Sequence, residues 1–289
     1  MNRILLPVDF SDHTLNTCRY ALEIAKKYGS EITLFHAYFN QIYASIPSLP
    51  DAYDINPFNN IEVTAEIEDQ AKFHIENLQN ELNNILAKEN IKNVCIKTYI
   101  TGGDFVSDLY HYCDEYHPSI IVIGTRGQGN ATGVFGEIAT DIINNSKWPV
   151  MAVPLATNFT GLKNIMFASA LEEADDLFVR KLFNRFEAFD ASIYFVHIIE
   201  DDKFLETQLF FEKLTNNYSK EVKTEKLIFD VIEGNNYHEQ IESFIQKFDI
   251  NIIAFIPHKT SFIQRIFGHK ISSNKEVFNT SLPIFTLNF

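Results

Sequence analysis

The chain matches itself, and that repeat constrains the fold more than any other feature. KNIMFASALEEADD, from Lys163, aligns with NRILLPVDFSDHTL, from Asn2, at an offset of 161 that also sets His197 of YFVHII under His36 of TLFHAY. Further on, IEGNNYHEQIESFI aligns with ITGGDFVSDLYHYC at an offset of 132, and that register runs without a gap over 35 positions, from Gly102/Gly234 to Gly136/Gly268. Two tandem copies of one fold follow. The change of offset puts the length difference between the second and third strands. With 289 residues, each copy is long enough to bury its own core.

Within each copy, short apolar runs alternate with amphipathic stretches, the pattern of β–α units and a parallel sheet. In the first copy strands are predicted at 4–8, 32–39, 94–100, 119–123 and 148–153. Helices are predicted after Asp12, over 62–87, over 105–116 and over 135–145, with Gly29 as the C′ glycine of the first. The segment holding Pro47, Pro50 and Pro57 reads as loop. The fold class is α/β: two tandem doubly wound, Rossmann-like domains over 1–156 and 157–289, joined near Leu155 to Leu162.

A net charge of −14 gives a field that repels nucleic acid and anionic lipid, so neither is an expected partner. No apolar run is long enough to span a bilayer, and MNRILLPVDF is too short for a signal peptide, so the expected location is cytoplasmic. Cys18, Cys95 and Cys113 are odd in number and scattered, which suits a reducing compartment and buried thiols. Phe is common, 26 of 289 residues, and the second half is expected to pack its core with it.

The opening RILLPVDFS, the HAY after strand two, the GGD after strand three and the GTRG after strand four together resemble the universal stress protein family in its tandem form. The resemblance implies five-stranded parallel sheets of order 3-2-1-4-5, flanked by helices. A ligand is then expected at the carboxyl ends of strands one and four, where strand order reverses. It also implies a stress-response regulator whose first domain binds an adenine nucleotide, ATP or AMP, with no metal beyond an accompanying Mg²⁺. The residues carried over are Asp9, at the adenine end, with Phe10 and Ser11 beside it; His36; Gly102, with Gly103 and Asp104 on the rim; and Gly124, Thr125, Arg126, Gly127, Gly136 and Glu137 in the phosphate loop.

Two departures weigh against phosphate binding. Family members that bind ATP carry Gly-x2-Gly-x9-Gly-[Ser/Thr], but here eight residues separate Gly127 from Gly136, and Glu137 replaces the hydroxyl. A carboxylate in that first turn competes for amide donors and repels a triphosphate, unless it caps its own helix and points away. Asp9 has a structural reading too, in helix capping or strand-end solvation, with Ser11 or Asp12 as N-cap. The recurrence of His36 as His197 favours a shared structural role, and Gly102 is equally explained as a turn.

The second copy has Ala170, Ile256 and Lys259 where the first has Asp9, Gly124 and Gly127, and it is not expected to bind ATP. Its loop gathers His258, Lys259, Arg265, His269 and Lys270, either as an anion or partner patch or as a solvated face above Phe262, Ile263, Ile266 and Phe267. His111, Cys113 and His117 do not share a helix face, so no metal site is expected there. No nucleophile–base pair stands out. A slow ATPase, resting on Arg126, and a nucleotide-independent dimerisation scaffold with an unknown protein partner remain as alternatives. The copies are expected to form an intrachain pseudo-dimer or a homo-oligomer.

Overall fold

A computed structural model describes residues 1–11, 14–38, 57–125, 136–154, 157–199, 204–233, 237–257 and 282–287. The chain divides into two compact units, Met1–Ile121 and Val122–Phe289, with the division inside one strand.

In the first unit β1 (Arg3–Pro7), α1 (Thr14–Tyr28), β2 (Glu31–Tyr38), α2 (Pro57–Lys88), β3 (Cys95–Gly102) and α3 (Phe105–Tyr116) are followed by β4 (Ile120–Gly124), which crosses into the second. β1 pairs in parallel with β2, β2 with β3, and the start of β4 with β1 through Ile4–Ile120 and Leu5–Ile121. Helices cover this sheet, so Ile4, Leu5, Leu6, Ile120 and Ile121 are buried and their strands read as unbroken apolar runs.

α3 has the predicted bounds, because Asp104 caps its amino end by accepting from the Ser107 amide at 2.9 Å. α2 begins at Pro57, which corrects the loop reading of that proline. The first helical turn has no intrahelical use for the missing N–H. Cys18 and Cys113 are buried free thiols as expected, and burial pushes the Cys113 thiol up to about 12. Cys95 is a correction: it opens β3 and is exposed.

The second unit continues with α4 (Glu137–Asn145), β5 (Val150–Val153), β6 (Asn164–Ser169), α5 (Ala174–Phe186), a 3₁₀ turn (Glu187–Phe189), β7 (Ser192–Ile199), α6 (Phe204–Asn217), α7 (Ser219–Lys223), β8 (Leu227–Glu233), α8 (Tyr237–Lys247), β9 (Ile252–Phe255) and β10 (Ile284–Thr286). The strand order is β3-β2-β1-β4-β5 in the first copy and β8-β7-β6-β9-β10 in the second, the same 3-2-1-4-5 arrangement. Phe167, Phe178, Phe186, Phe195, Phe255 and Phe285 are fully buried, the expected Phe core. Among the described residues no helix is long and apolar enough to cross a membrane.

The backbone keeps the repeat where the side chains have drifted. Left-handed residues recur at both offsets: Phe10 and Leu171, Gly29 and Asp190, His117 and Asp249. The Ser119 amide donates to the Arg3 carbonyl as the Asn251 amide does to Asn164, and Glu31 to Asn2 as Ser192 to Lys163.

Candidate functional site

The β1–α1 turn of the first copy is built around Asp9. Its Oδ1 accepts from the Ser11 amide at 3.1 Å, the Ser11 hydroxyl at 2.8 Å and the Thr14 hydroxyl at 3.0 Å, so this carboxylate ties the strand end to the first residue of α1. Phe10, between them, is left-handed at φ 56°, a conformation uncommon outside glycine. Its ring centroid lies 4.5 Å from that of His36 and 5.4 Å from that of His74 on α2. His36 Nδ1 donates to the Val8 carbonyl at 2.8 Å, which leaves Nε2 as the acceptor of the neutral ring. Burial lowers its pKa, against the Val8 carbonyl and the Asp9 charge, which raise it.

The same turn in the second copy is closed by a carboxylate from the helix side. His197 Nδ1 donates to the Ser169 carbonyl at 2.9 Å, as His36 does to Val8. The carboxylate, however, stands on the helix side: Asp175, at the Thr14 position, accepts from the Ser169 hydroxyl at 2.5 Å and the Glu172 amide at 3.0 Å. Ala170 fills the Asp9 position. Asp175 is only 2% exposed, and burial raises its carboxyl to about 6.

Gly102 ends β3 opposite Tyr38, whose ring fills the space a Cβ would need: an added Cβ would lie 2.8 Å from it. Tyr38 in turn donates to Glu68 on α2 at 3.1 Å. A close aromatic approach therefore accounts for this glycine. Gly103 is equally confined, a Cβ there lying 2.7 Å from Asp108 Oδ2, and Asp104 is spent on capping α3.

Gly124 ends β4, and Thr125 follows with its amide donating to the Val153 carbonyl at 3.1 Å. Thr125 is 1% exposed, and its hydroxyl has no hydrogen-bond partner among the described residues. Its carbonyl accepts from the Gly136 amide at 2.5 Å, which holds the start of α4 against the end of β4. Gly136 is the N-cap of α4 and offers no side-chain oxygen, so it leaves the first-turn amides uncapped by its own side chain. Glu137 opens the helix. Arg126 and Gly127 lie outside the described residues, as does the basic cluster from His258 to Lys270.

Sequence reasoning missed Thr14, Tyr38 and His74. The i, i+5 spacing of Asp9 and Thr14 carries no periodic signal, and the two aromatics become neighbours of the turn only through tertiary packing.

Residues 1–154 match the model of the universal stress protein family. The chain is 23% identical over 152 residues to universal stress protein MJ0531 of Methanocaldococcus jannaschii, covering 52% of this chain and 81% of that protein. Among solved structures, a universal stress protein from Archaeoglobus fulgidus superposes with a TM-score of 0.68 at 14% identity, over 99% of this chain and 96% of its own. The functionally unknown protein PA1789 from Pseudomonas aeruginosa gives 0.59 at 12%, over 100% and 92%. At these identities the two structures share the tandem fold.

Proposed function

The chain belongs to the universal stress protein family, and on that premise we propose that it is a cytoplasmic stress-response regulator whose first copy binds an adenine nucleotide, ATP or AMP. The observation that carries this reading is the β4–α4 element: a buried Thr125 hydroxyl without a partner among the described residues, bonded through its own carbonyl to a helix start whose N-cap lacks a capping oxygen. An unmade hydrogen bond at a buried hydroxyl costs about 1–3 kcal/mol. A phosphate oxygen would relieve that cost and would meet the partial positive charge of the helix end. A nucleotide, with Mg²⁺ as its counter-ion, would supply such an anion. Thr125 and the α4 amides would hold phosphate, and occupancy would change the surface offered to a protein partner.

The Asp9 turn favours a second reading, a scaffold that needs no nucleotide. Three internal bonds already occupy Oδ1, so that atom performs a structural task without a ligand. The ATPase alternative rests on Arg126, which is outside the described residues. To decide, the protein is purified without added nucleotide, denatured, and the released small molecules are identified by mass spectrometry, with calorimetric titration of ATP and AMP alongside. An adenine nucleotide is expected, and Thr125→Val should weaken binding by about tenfold while leaving the fold intact. A protein that is empty and binds neither nucleotide at millimolar concentration would leave only the scaffold.

A further inference from the structure

At the opposite end of the strands from the proposed nucleotide site, the first unit carries a cavity of about 200 Å³ between the amino ends of β1–β3 and the last turn of α3. Its polar walls are Arg3, Glu31, Thr33 and Lys97, and its aromatic wall is Tyr112 with Tyr116. The register explains the grouping, since Leu5, Thr33 and Lys97 stand side by side across three parallel strands and Arg3 is paired with Glu31. Lys97 Nζ lies 2.6 Å from the Glu31 carboxylate, Arg3 Nη1 donates to the Tyr116 carbonyl at 2.5 Å, and the Tyr112 hydroxyl donates to Thr33 at 3.1 Å.

These bonds leave the cavity rich in donors. A guanidinium has five N–H groups and an ammonium three, and one of each is engaged here. Two hydroxyls bonded to each other also leave one proton to give. Among the lining side chains two cations, Arg3 and Lys97, stand against one carboxylate, Glu31, in a chain whose net charge is −14. The volume is below the roughly 300–1,000 Å³ of pockets for drug-sized ligands, so the occupant is small. Tyr116, 39% exposed and stacked on Tyr112 with ring centroids 4.4 Å apart, adds a flat apolar surface.

We propose that this cavity binds a small organic carboxylate with a flat apolar body, the carboxylate on Arg3, Lys97 and the Thr33/Tyr112 hydroxyl pair and the body against Tyr116. This site stands independently of nucleotide binding. The test is titration of the full isotope-labelled chain with benzoate, with benzamide as the uncharged analogue and inorganic phosphate as the anion without a body, followed by amide chemical shifts. Saturable benzoate binding at millimolar concentration is expected, with shifts centred on Arg3, Thr33, Lys97 and Tyr112. Benzamide and phosphate should each bind at least about tenfold more weakly. The surface double variant Arg3→Gln/Lys97→Gln should lose benzoate binding by a similar factor, and Tyr112→Phe should weaken it while keeping the fold. Equal binding of benzoate and benzamide, equal binding of phosphate, an unchanged double variant, or no saturation by benzoate would each overturn the proposal.

Discussion

Thr14 and Asp175 hold the same place in the two copies, yet one is a hydroxyl that donates to a carboxylate across the turn and the other is the carboxylate. In the first copy the acid sits on the strand side, at Asp9, and is half-buried; in the second it sits on the helix side and is almost fully buried. Each turn is tied by one carboxylate that accepts from a hydroxyl and a backbone amide, Asp9 in the first copy and Asp175 in the second. On the helix side, at Asp175, the charge is almost fully removed from water. The folded-state carboxyl of Asp175, at about 6, holds its proton more tightly than the ordinary value of 3.8 expected in the unfolded chain. Its contribution to stability is therefore complete below about pH 4 and is lost as the pH rises through about 6. A difference of about two pH units corresponds to roughly 3 kcal/mol. Asp175→Asn keeps an acceptor for Ser169 and Glu172 but cannot ionise. Urea unfolding across this pH range should show wild type losing up to that amount relative to the variant, and parallel curves would mean that Asp175 does not titrate there.

At the scale of elements, what was legible was what burial and caps dictate. β1 and β4 were visible because helices cover their sheet, so their apolar runs are unbroken, and α3 was visible to the residue because Asp104 and Phe105 mark its start. Gly29 was rightly read as a helix-ending residue, with φ 62°. The proline at 57 was misread, because its effect depends on whether it lies inside a helix or in its first turn, and composition does not distinguish these. The site was less legible than the fold. Asp9, Gly124 and Thr125 stood in a recognisable pattern, but the bonds that occupy Asp9 Oδ1, and the Tyr38 ring over Gly102, arise from strands brought together in space. That packing is testable. Gly102→Ala would set a methyl 2.8 Å from the Tyr38 ring, so the ring must move and its bond to Glu68 must break or bend. A loss of about 1–3 kcal/mol is expected in denaturant unfolding. Tyr38→Leu in the same background should recover part of it, and a Gly102→Ala variant as stable as wild type would show that the ring moves freely.

For the whole molecule, the repeat is closed by its last strands. β10 runs antiparallel to β5 with Ile284 opposite Ala152, and Ile284 stands 132 positions after Ala152, the offset that relates the two copies. Each residue of that pair, the first of the ladder, therefore faces its own equivalent. Beyond it the ladder continues in one direction, with Phe285 facing Met151 and Thr286 facing Val150. β10 also pairs in parallel with β9, so it carries a ladder on each edge. Phe285 supports both from the core: it is fully buried, its ring centroid 5.3 Å from Phe186 and 6.4 Å from Phe178 on α5. Removing the ring should therefore act on both neighbours of β10. Phe285→Ala is expected to cost about 3–5 kcal/mol in global stability. Hydrogen exchange should then report faster opening at β5 amides from Val150 to Val153 as well as at β9. If protection fell only on the β9 side, β5 would be held by its own copy and the antiparallel pairing would contribute little to joining the two.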